Sequence, residues 1–417
     1  MTQAGEVSGA PARVWMPSLT GIRWWAALAV IVHHTINAFV GTGFVKLDAA
    51  STFASGGYLG VTLFFVLSGF VLTWGWKESW SLPGGRMAFY KNRFARIYPL
   101  YLFCIPVYYW YVNHVLHSAK AHASVRATVA ELGLVHAVIP YREFYGAHAL
   151  VTWSLSCEAV FYALLPLLLV KLWNASTRTL GWVCAGAGTW LVVLPLLTEL
   201  ATHDDQLRRG IELNPIFCGA HFLLGVTAGI AFRRGWRPRW NPNAVLAAMV
   251  ATFIAACIVL RMTVFGDWAH LFSAQPIPAG AQARAHLAWL LVTRLQFGRF
   301  MAHLLFAPAA LAAVIAVASA DLRGHKTWVS GRISVLLGEW SYSIYLSHAV
   351  VIGYSWSLWR RHGVTAPGIQ LVIVFIAVFI VAGLLHYLVE KPASRWLRER
   401  FGVASRSPVE VAPVTKV

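Results

Sequence analysis

About ten apolar runs recur along this chain, each near the ~20 residues that a helix needs to cross the hydrocarbon core of a bilayer. No other feature constrains the fold as strongly. The runs fall at roughly 20–40, 57–76, 97–117, 153–173, 179–198, 216–232, 243–262, 299–318, 335–356 and 369–389. Within lipid a segment has to satisfy its own backbone hydrogen bonds, so each run is expected to be a helix. Composition agrees: 58% of the residues are hydrophobic, only 12% are charged, and the mean hydropathy is +0.61. A soluble protein carries about 25% charged residues. The expected fold class is therefore all-α, a polytopic integral membrane protein with about ten transmembrane helices.

The formal net charge of +18 raises the question of nucleic acid, but its distribution answers with topology. With a cytoplasmic N-terminus, 22 of the 34 Lys and Arg fall on the inner side and 12 on the outer side. That asymmetry follows the positive-inside rule and places both termini in the cytoplasm. No nucleic-acid partner is expected. Residues 1–17 form a polar tail with no small-residue cleavage site behind a short apolar core, so the first run is an anchor and not a removed signal peptide. Residues 18–398 make one membrane domain, and 399–417 form a cytoplasmic tail of disordered composition. The longest outer connections span about 118–152 and 263–298; the second carries Pro, Gly and Ala ahead of an amphipathic stretch. Cys104, Cys157, Cys184, Cys218 and Cys257 lie in or beside apolar runs without paired spacing, which fits small packing residues and implies no disulfide frame.

Ionisable residues inside these runs are the candidates for chemistry, because an ionisable group in lipid is costly and marks function by default. The first run, "TGIRWWAALAVIVHHTINAFV", places Arg23 eleven residues before His34. On a helix that is just over three turns and ~16 Å of rise, so the two share a face, with His33 pointing elsewhere. Arg23 falls at the cytoplasmic rim and His34 in the outer half. "FYKNRFARIYP" sets Arg93 and Arg96 three residues apart on one face at the inner end of the third run. Paired guanidinium forks suit phosphate, although basic residues at this place also serve orientation. "TWSLSCEAVFYALLP" sinks Glu158 about 9 Å from the outer end of its run, a depth matching His34 in count. A His and a Glu at one depth can pair as a general-base dyad. "LGEWSYSIYLSHAVV" adds His348 in the outer half with Ser341, Tyr342 and Tyr345, as support or as interhelical hydrogen-bonding groups.

Other features have plainer readings. Gly57, Gly60 and Gly69 in "GYLGVTLFFVLSGFVLTWGW" allow close helix approach or a broken helix. His114, His117, His122, His136 and His148 lie in the outer connections without metal-ligand spacing, so no metal is expected. The aromatic residues of 107–117 and 141–153 suit either a membrane-interface belt or stacking on sugar rings.

Together these motifs resemble the membrane-bound acyltransferase-3 family, the integral membrane O-acyltransferases that decorate bacterial polysaccharides. The resemblance runs through "SLTGIRWWAALAVIVHH", "GYLGVTLFFVLSGFVLT", "FYKNRFARIYPLYL", "WSLSCEAVFYALLP", "LGEWSYSIYLSHAVV" and "HYLVEKPASRWL", in the family's order over nearly the whole chain. It implies an acyl-CoA donor, usually acetyl-CoA, taken from the cytoplasm, and a hydroxyl acceptor on a carbohydrate or lipid-linked glycan. No permanently bound cofactor is implied. By position, Arg23 and His34 match the family's basic–His motif, Arg93 and Arg96 its Arg-x-x-Arg, and Glu158 the first carboxylate of a "WSLSxEE"-type segment. The second carboxylate is replaced here by Ala159 and the next polar position by Val160, so no role of that acid carries over.

The resemblance thus points to O-acylation in the inner membrane of a bacterium, with lipid around the bundle. Arg23, Arg93 and Arg96 would hold the donor phosphates. His34 would serve as base or acyl carrier, and Glu158 would orient it. The rival from another class is a carrier or flippase for an anionic or lipid-linked sugar, in which buried His and Glu form a proton relay. A structural subunit that tolerates loss of His34 is the third reading. Glu390 has no expected role beyond capping or pairing with nearby basic side chains.

Overall fold

The computed structural model describes residues 15–40, 56–77, 80, 85–115, 124–147, 150–202, 204–265, 281–363 and 366–403. The outer ends of both tails lie outside the described residues, as do His117, His122 and His148. Helices follow one another along the chain, and no strand occurs among the described residues. In order they are α1 (Pro17–Val40), α2 (Leu59–Trp74), α3 (Gly85–His114), α4 (Val125–Leu132), α5 (Arg142–Tyr145), α6 (Trp153–Leu172) and α7 (Thr177–Ala201). Then come α8 (Asp205–Glu212), α9 (Pro215–Arg233), α10 (Pro242–Phe265), α11 (Ala281–Leu322), α12 (Arg332–Arg361), α13 (Pro367–Leu385) and α14 (Lys391–Arg400), the last two joined by a π-turn at His386–Glu390.

Each of the ten apolar runs is a helix, and the chain is an all-α polytopic membrane protein. Among the described residues, eight helical segments are long and apolar enough to cross a membrane on length and composition alone. α1 and α3 are not among those eight, although their 24 and 30 residues suffice for a crossing. The polar residues they carry, Arg23, His33 and His34 on one and Lys91, Arg93 and Arg96 on the other, lower their hydropathy.

Side-chain caps set several boundaries. The Asn214 Oδ1 accepts from the Ile216 amide at 2.9 Å and Pro215 opens α9, where its missing N–H costs nothing. The Ser176 hydroxyl accepts from the Thr179 amide at 3.0 Å to start α7. Packing then sorts the helices. α2 is almost wholly buried, held between α1, α9 and α11, whereas α7, α10 and α13 turn most of their surface outward, with Leu196, Ile254 and Ile376 exposed as lipid-facing residues. Between membrane helices close packing supplies much of the stability, because lipid tails are as apolar as the side chains. Small residues permit it here. A methyl at Gly60 would overlap the Ala26 carbonyl of α1, and one at Gly69 the Phe222 carbonyl of α9, so both interfaces have backbone against backbone.

Three connections differ from expectation. α3 starts twelve residues before its apolar run, because the Arg, Lys, Met and Ala residues of "GRMAFYKNRFAR" are good helix formers although they are not all apolar. The 118–152 connection, where described, is no open loop. It folds into α4, a 3-10 turn at His136–Val138 and α5, and packs back on the bundle. Tyr101 and Tyr98 of α3 donate to the carbonyls of Glu131 and Leu132 at 2.5 and 3.2 Å, and Asn214 donates to that of Val138 at 2.9 Å. In the 263–298 connection, residues 266–280 lie outside the described residues, and from Ala281 onward the chain is one continuous 42-residue helix.

Candidate functional site

Four arginines gather at the inner end of the bundle: Arg23 of α1, Arg93 and Arg96 of α3, and Arg398 of α14. Arg23 feels the charges of Arg96, Glu158 and Glu390, and Arg398 those of Arg96 and Glu390. The Arg93 guanidinium carbon lies 5.9 Å from the ring centroids of both Phe89 and Tyr162. The Nε atoms of Arg23, Arg93 and Arg398 are buried and have no hydrogen-bond partner. A buried unpaired N–H is costly, and three on converging guanidinium groups suit an anion with several acceptor oxygens. Glu390 is already engaged, accepting from Ser343 at 2.7 Å and facing His386 Nδ1 at 3.0 Å. It therefore pairs locally and leaves the arginine forks open. Its place in a π-turn fits the frequent occurrence of such turns at functional sites.

From this basin a chamber enters the bundle, lined among others by Arg23, Glu158, Ser341 and Tyr342. A second chamber, toward the outer face, holds His33 and His34. Val61, Phe65 and Tyr345 line both and form the wall between them. The Tyr345 hydroxyl donates to the Val151 carbonyl at 2.8 Å and lies 2.7 Å from Ser154 Oγ, which donates in turn, so the wall is fixed.

This wall corrects the pairing expected for Glu158. Its hydrogen-bond partner is Ser68, whose hydroxyl donates at 3.2 Å, and it lines the inner chamber with Arg23. His34 stands beyond the wall. Ser154, one turn outward of Glu158, is level with Tyr345, and His348 lies a further turn outward beside His34. Summed along α6 and α12, that separates Glu158 from His34 by roughly 10 Å of depth. Equal counts from the two helix ends do not give equal depth, because α6 begins inside the bundle.

The partner of His34 is His348. Its Nε2 lies 3.3 Å from His34 Nδ1, with ring centroids 4.8 Å apart. The protons can be placed from acceptors that have none. His348 Nδ1 sits 2.7 Å from the Tyr345 carbonyl and so carries its hydrogen, leaving Nε2 as an acceptor when the ring is neutral. His34 Nδ1, 3.0 Å from the Val30 carbonyl, then carries the hydrogen it shares between Val30 and His348. His34 Nε2 is thus left with a free lone pair at the outer chamber.

The outer chamber also contains a charged cluster that sequence reasoning missed. Arg209 Nη1 and Arg299 Nε bind the two oxygens of Glu212 at 2.5 and 2.9 Å. His303 Nε2 stands 3.7 Å from the same carboxylate, and its Nδ1 is 2.8 Å from Thr62 Oγ1. Glu212 and Arg209 belong to a stretch that reads as an outer connection, and Arg299 opens a span like any interfacial cation. The signal available was spacing, since Arg209–Glu212 is an i,i+3 pair and Arg299 and His303 are an i,i+4 pair. Of the aromatic residues in 107–117 and 141–153, Trp153 lines the chamber, while Tyr109, Trp110 and Tyr141 are exposed.

Comparison with known proteins adds to this geometry. A family model described as an acyltransferase domain (acyltransferase-3) matches residues 16–387. The acyltransferase MdmB of Streptomyces mycarofaciens is 30% identical over 95% of this chain and 96% of its own length. The peptidoglycan O-acetyltransferase OatA of Listeria monocytogenes is 27% identical over 44% of this chain and 29% of its own length. The O-acetyltransferase OatA of Staphylococcus aureus is 25% identical over 38% of this chain and 25% of its own length. This chain therefore spans nearly all of MdmB and less than a third of the OatA proteins. No solved structure matches.

Proposed function

The chain belongs to the acyltransferase-3 family, and from that premise we propose that it is an acyl-CoA-dependent O-acyltransferase of the bacterial inner membrane. Acetyl-CoA is the simplest donor, and the acceptor is a hydroxyl of a carbohydrate, such as an exported polysaccharide or lipid-linked glycan. The observation that carries the reading is a basin of four arginines, three of them with a buried, partnerless Nε, and a lone-pair histidine on opposite sides of one thin wall.

In this scheme the donor phosphates bind Arg93, Arg96, Arg398 and Arg23, the slender arm lies in the inner chamber, and the acyl end passes between Val61, Phe65 and Tyr345. His34 Nε2 takes the proton of the acceptor hydroxyl as its oxygen attacks the thioester carbonyl. The tetrahedral adduct collapses by breaking the C–S bond, and the proton held by His34 passes to the departing thiolate. His348 is a positioning residue here: it receives the Nδ1–H of His34 and so keeps Nε2 aimed at the acceptor. Glu158 borders the arm's path next to Arg23 instead of orienting the base. The same lone pair also serves an acyl-imidazole route, which a rapid quench of labelled enzyme without acceptor separates from direct transfer.

The test is release of CoA from radiolabelled acetyl-CoA by purified protein in nanodiscs, with and without a crude glycan extract. His34→Ala is expected to lower acceptor-dependent release by about 10²–10⁴-fold, the usual contribution of a general base. Arg93→Ala is expected to raise the donor KM. Unchanged turnover in His34→Ala would remove the base assignment. Absence of donor binding in the wild type would remove the reading.

A further inference from the structure

We propose that the outer chamber is an anion-recognition site, so that the acceptor carries a carboxylate or phosphate next to the hydroxyl that is acylated. The inference rests on the acyl-transfer reading for the position of that hydroxyl and on the cluster around Glu212 for the anion.

Among its described lining residues the chamber holds two guanidinium groups, Arg209 and Arg299, against one carboxylate, Glu212. One positive charge is left over beside a carboxylate that is itself only 2% exposed, and in such partly buried surroundings charge attraction is stronger than in bulk. Hydrogen-bonding capacity is more unequal still. Each guanidinium has five N–H donors, and Glu212 takes only Arg209 Nη1 and Arg299 Nε. Neither side chain has another hydrogen-bond partner among the described residues. His221 lines the same chamber, is only 1% exposed, and has no hydrogen bond at either ring nitrogen. The chamber is rich in free donors, and its one acid is already occupied.

The donors are also held in place. Glu212 fixes both forks, and the Arg299 guanidinium carbon lies over the Tyr58 ring, 4.2 Å from its centroid. A structural ion triad tying α8 to α11 would account for the two bonds to Glu212. It would not account for free forks lining a cavity beside an unpartnered histidine. The way from the forks to the base is short: Tyr58 is 5.9 Å from His33, and His33 is 5.0 Å from His34. An anion on the arginines and a hydroxyl on His34 Nε2 therefore fit one sugar ring or two adjoining ones, as in a uronate or a phosphorylated sugar.

The test measures binding apart from turnover. His34→Ala protein in nanodiscs is titrated with methyl glucuronide, glucose 6-phosphate, methyl glucoside and methyl glucosaminide, and binding is followed by the shift in thermal midpoint. At least one anionic ligand is expected to bind ten times or more tighter than the neutral and amino sugars, and which one does separates carboxylate from phosphate. Arg209→Gln, made in the same background, removes the surplus charge while leaving the Arg299–Glu212 pair intact. It should bring the anionic ligand to within about threefold of the neutral one. Equal binding of all four sugars, a preference for the neutral or amino sugar, no binding, or an anion preference unchanged in Arg209→Gln would overturn the proposal. Anion-selective binding without any CoA release by the wild-type protein would leave this site standing and remove the acyl-transfer reading.

Discussion

His348→Leu is the substitution whose effect the geometry fixes most closely. His348 Nε2 receives the Nδ1–H of His34 at 3.3 Å, and the Val30 carbonyl receives it at 3.0 Å. While His34 is neutral, a hydrogen bond of this kind contributes about 1 kcal/mol. Once His34 has taken the acceptor proton the bond is charge-assisted, and such bonds contribute about 1.5–3 kcal/mol. Only the difference accelerates the reaction, so its loss raises the barrier by about 0.5–2 kcal/mol, or roughly 2–30-fold in kcat. The donor KM should stay unchanged, because the arginine basin lies on the other side of the wall. His348→Gln offers an oxygen near the position of Nε2 and should stay within about threefold of wild type, on the same hydrogen-bond scale. Steady-state kinetics of the three proteins in nanodiscs, with His34→Ala as the reference for complete loss of the base, decide the matter. A His348→Leu defect as deep as that of His34→Ala would make His348 a reacting group. No defect, or one confined to donor KM, would remove its positioning role.

Two further expectations concern stability. Gly69→Leu forces a side chain against the Phe222 carbonyl, and overpacking of this kind costs about 1–3 kcal/mol or more, so the thermal midpoint in detergent should fall; Gly186→Leu, with nothing within 4 Å, should not lower it. Burial pulls the His136 imidazole down from 6.5 to about 4, so the unfolded chain binds a proton that the folded one refuses, and stability is lost as pH falls through that window. The loss reaches about 3 kcal/mol near pH 4 at 1.36 kcal/mol per unit, and thermal melts of His136→Gln should be flatter between pH 6.5 and pH 4.

The helices were legible because apolar length is a one-dimensional property, and the lipid enforces it. Arg23 and His34 were legible for a similar reason, since both sit on one helix and its periodicity fixes their relation. The His34–Glu158 pairing failed because it joined two helices through a count of residues. Depth also depends on where each helix begins, and α6 begins well inside the outer surface. Arg398 and Glu212 were overlooked for another reason: charges at span ends are what orientation and solvation demand anyway. Only the tertiary structure shows that the Arg398 Nε is buried without a partner and that Glu212 is clamped between two guanidinium groups. The sequence put Glu390 near basic side chains, but its engagement by Ser343 and His386 depends on a π-turn that no apolar pattern announces.

The wall of Val61, Phe65 and Tyr345 has an electrical consequence. With water in the chambers on either side, the insulating layer at this point shrinks from the full bilayer to a few side chains. The membrane potential then falls mainly across that septum. Moving one elementary charge through it costs or releases about 2.3 kcal/mol per 100 mV. In the proposed scheme only the acyl end crosses, while the anionic phosphates of the donor stay in the inner arginine basin. The acceptor proton that His34 hands to the departing thiolate moves inward as the acyl group moves outward, so the two displacements offset. Bond chemistry can therefore pass from one face of the membrane to the other with no net current.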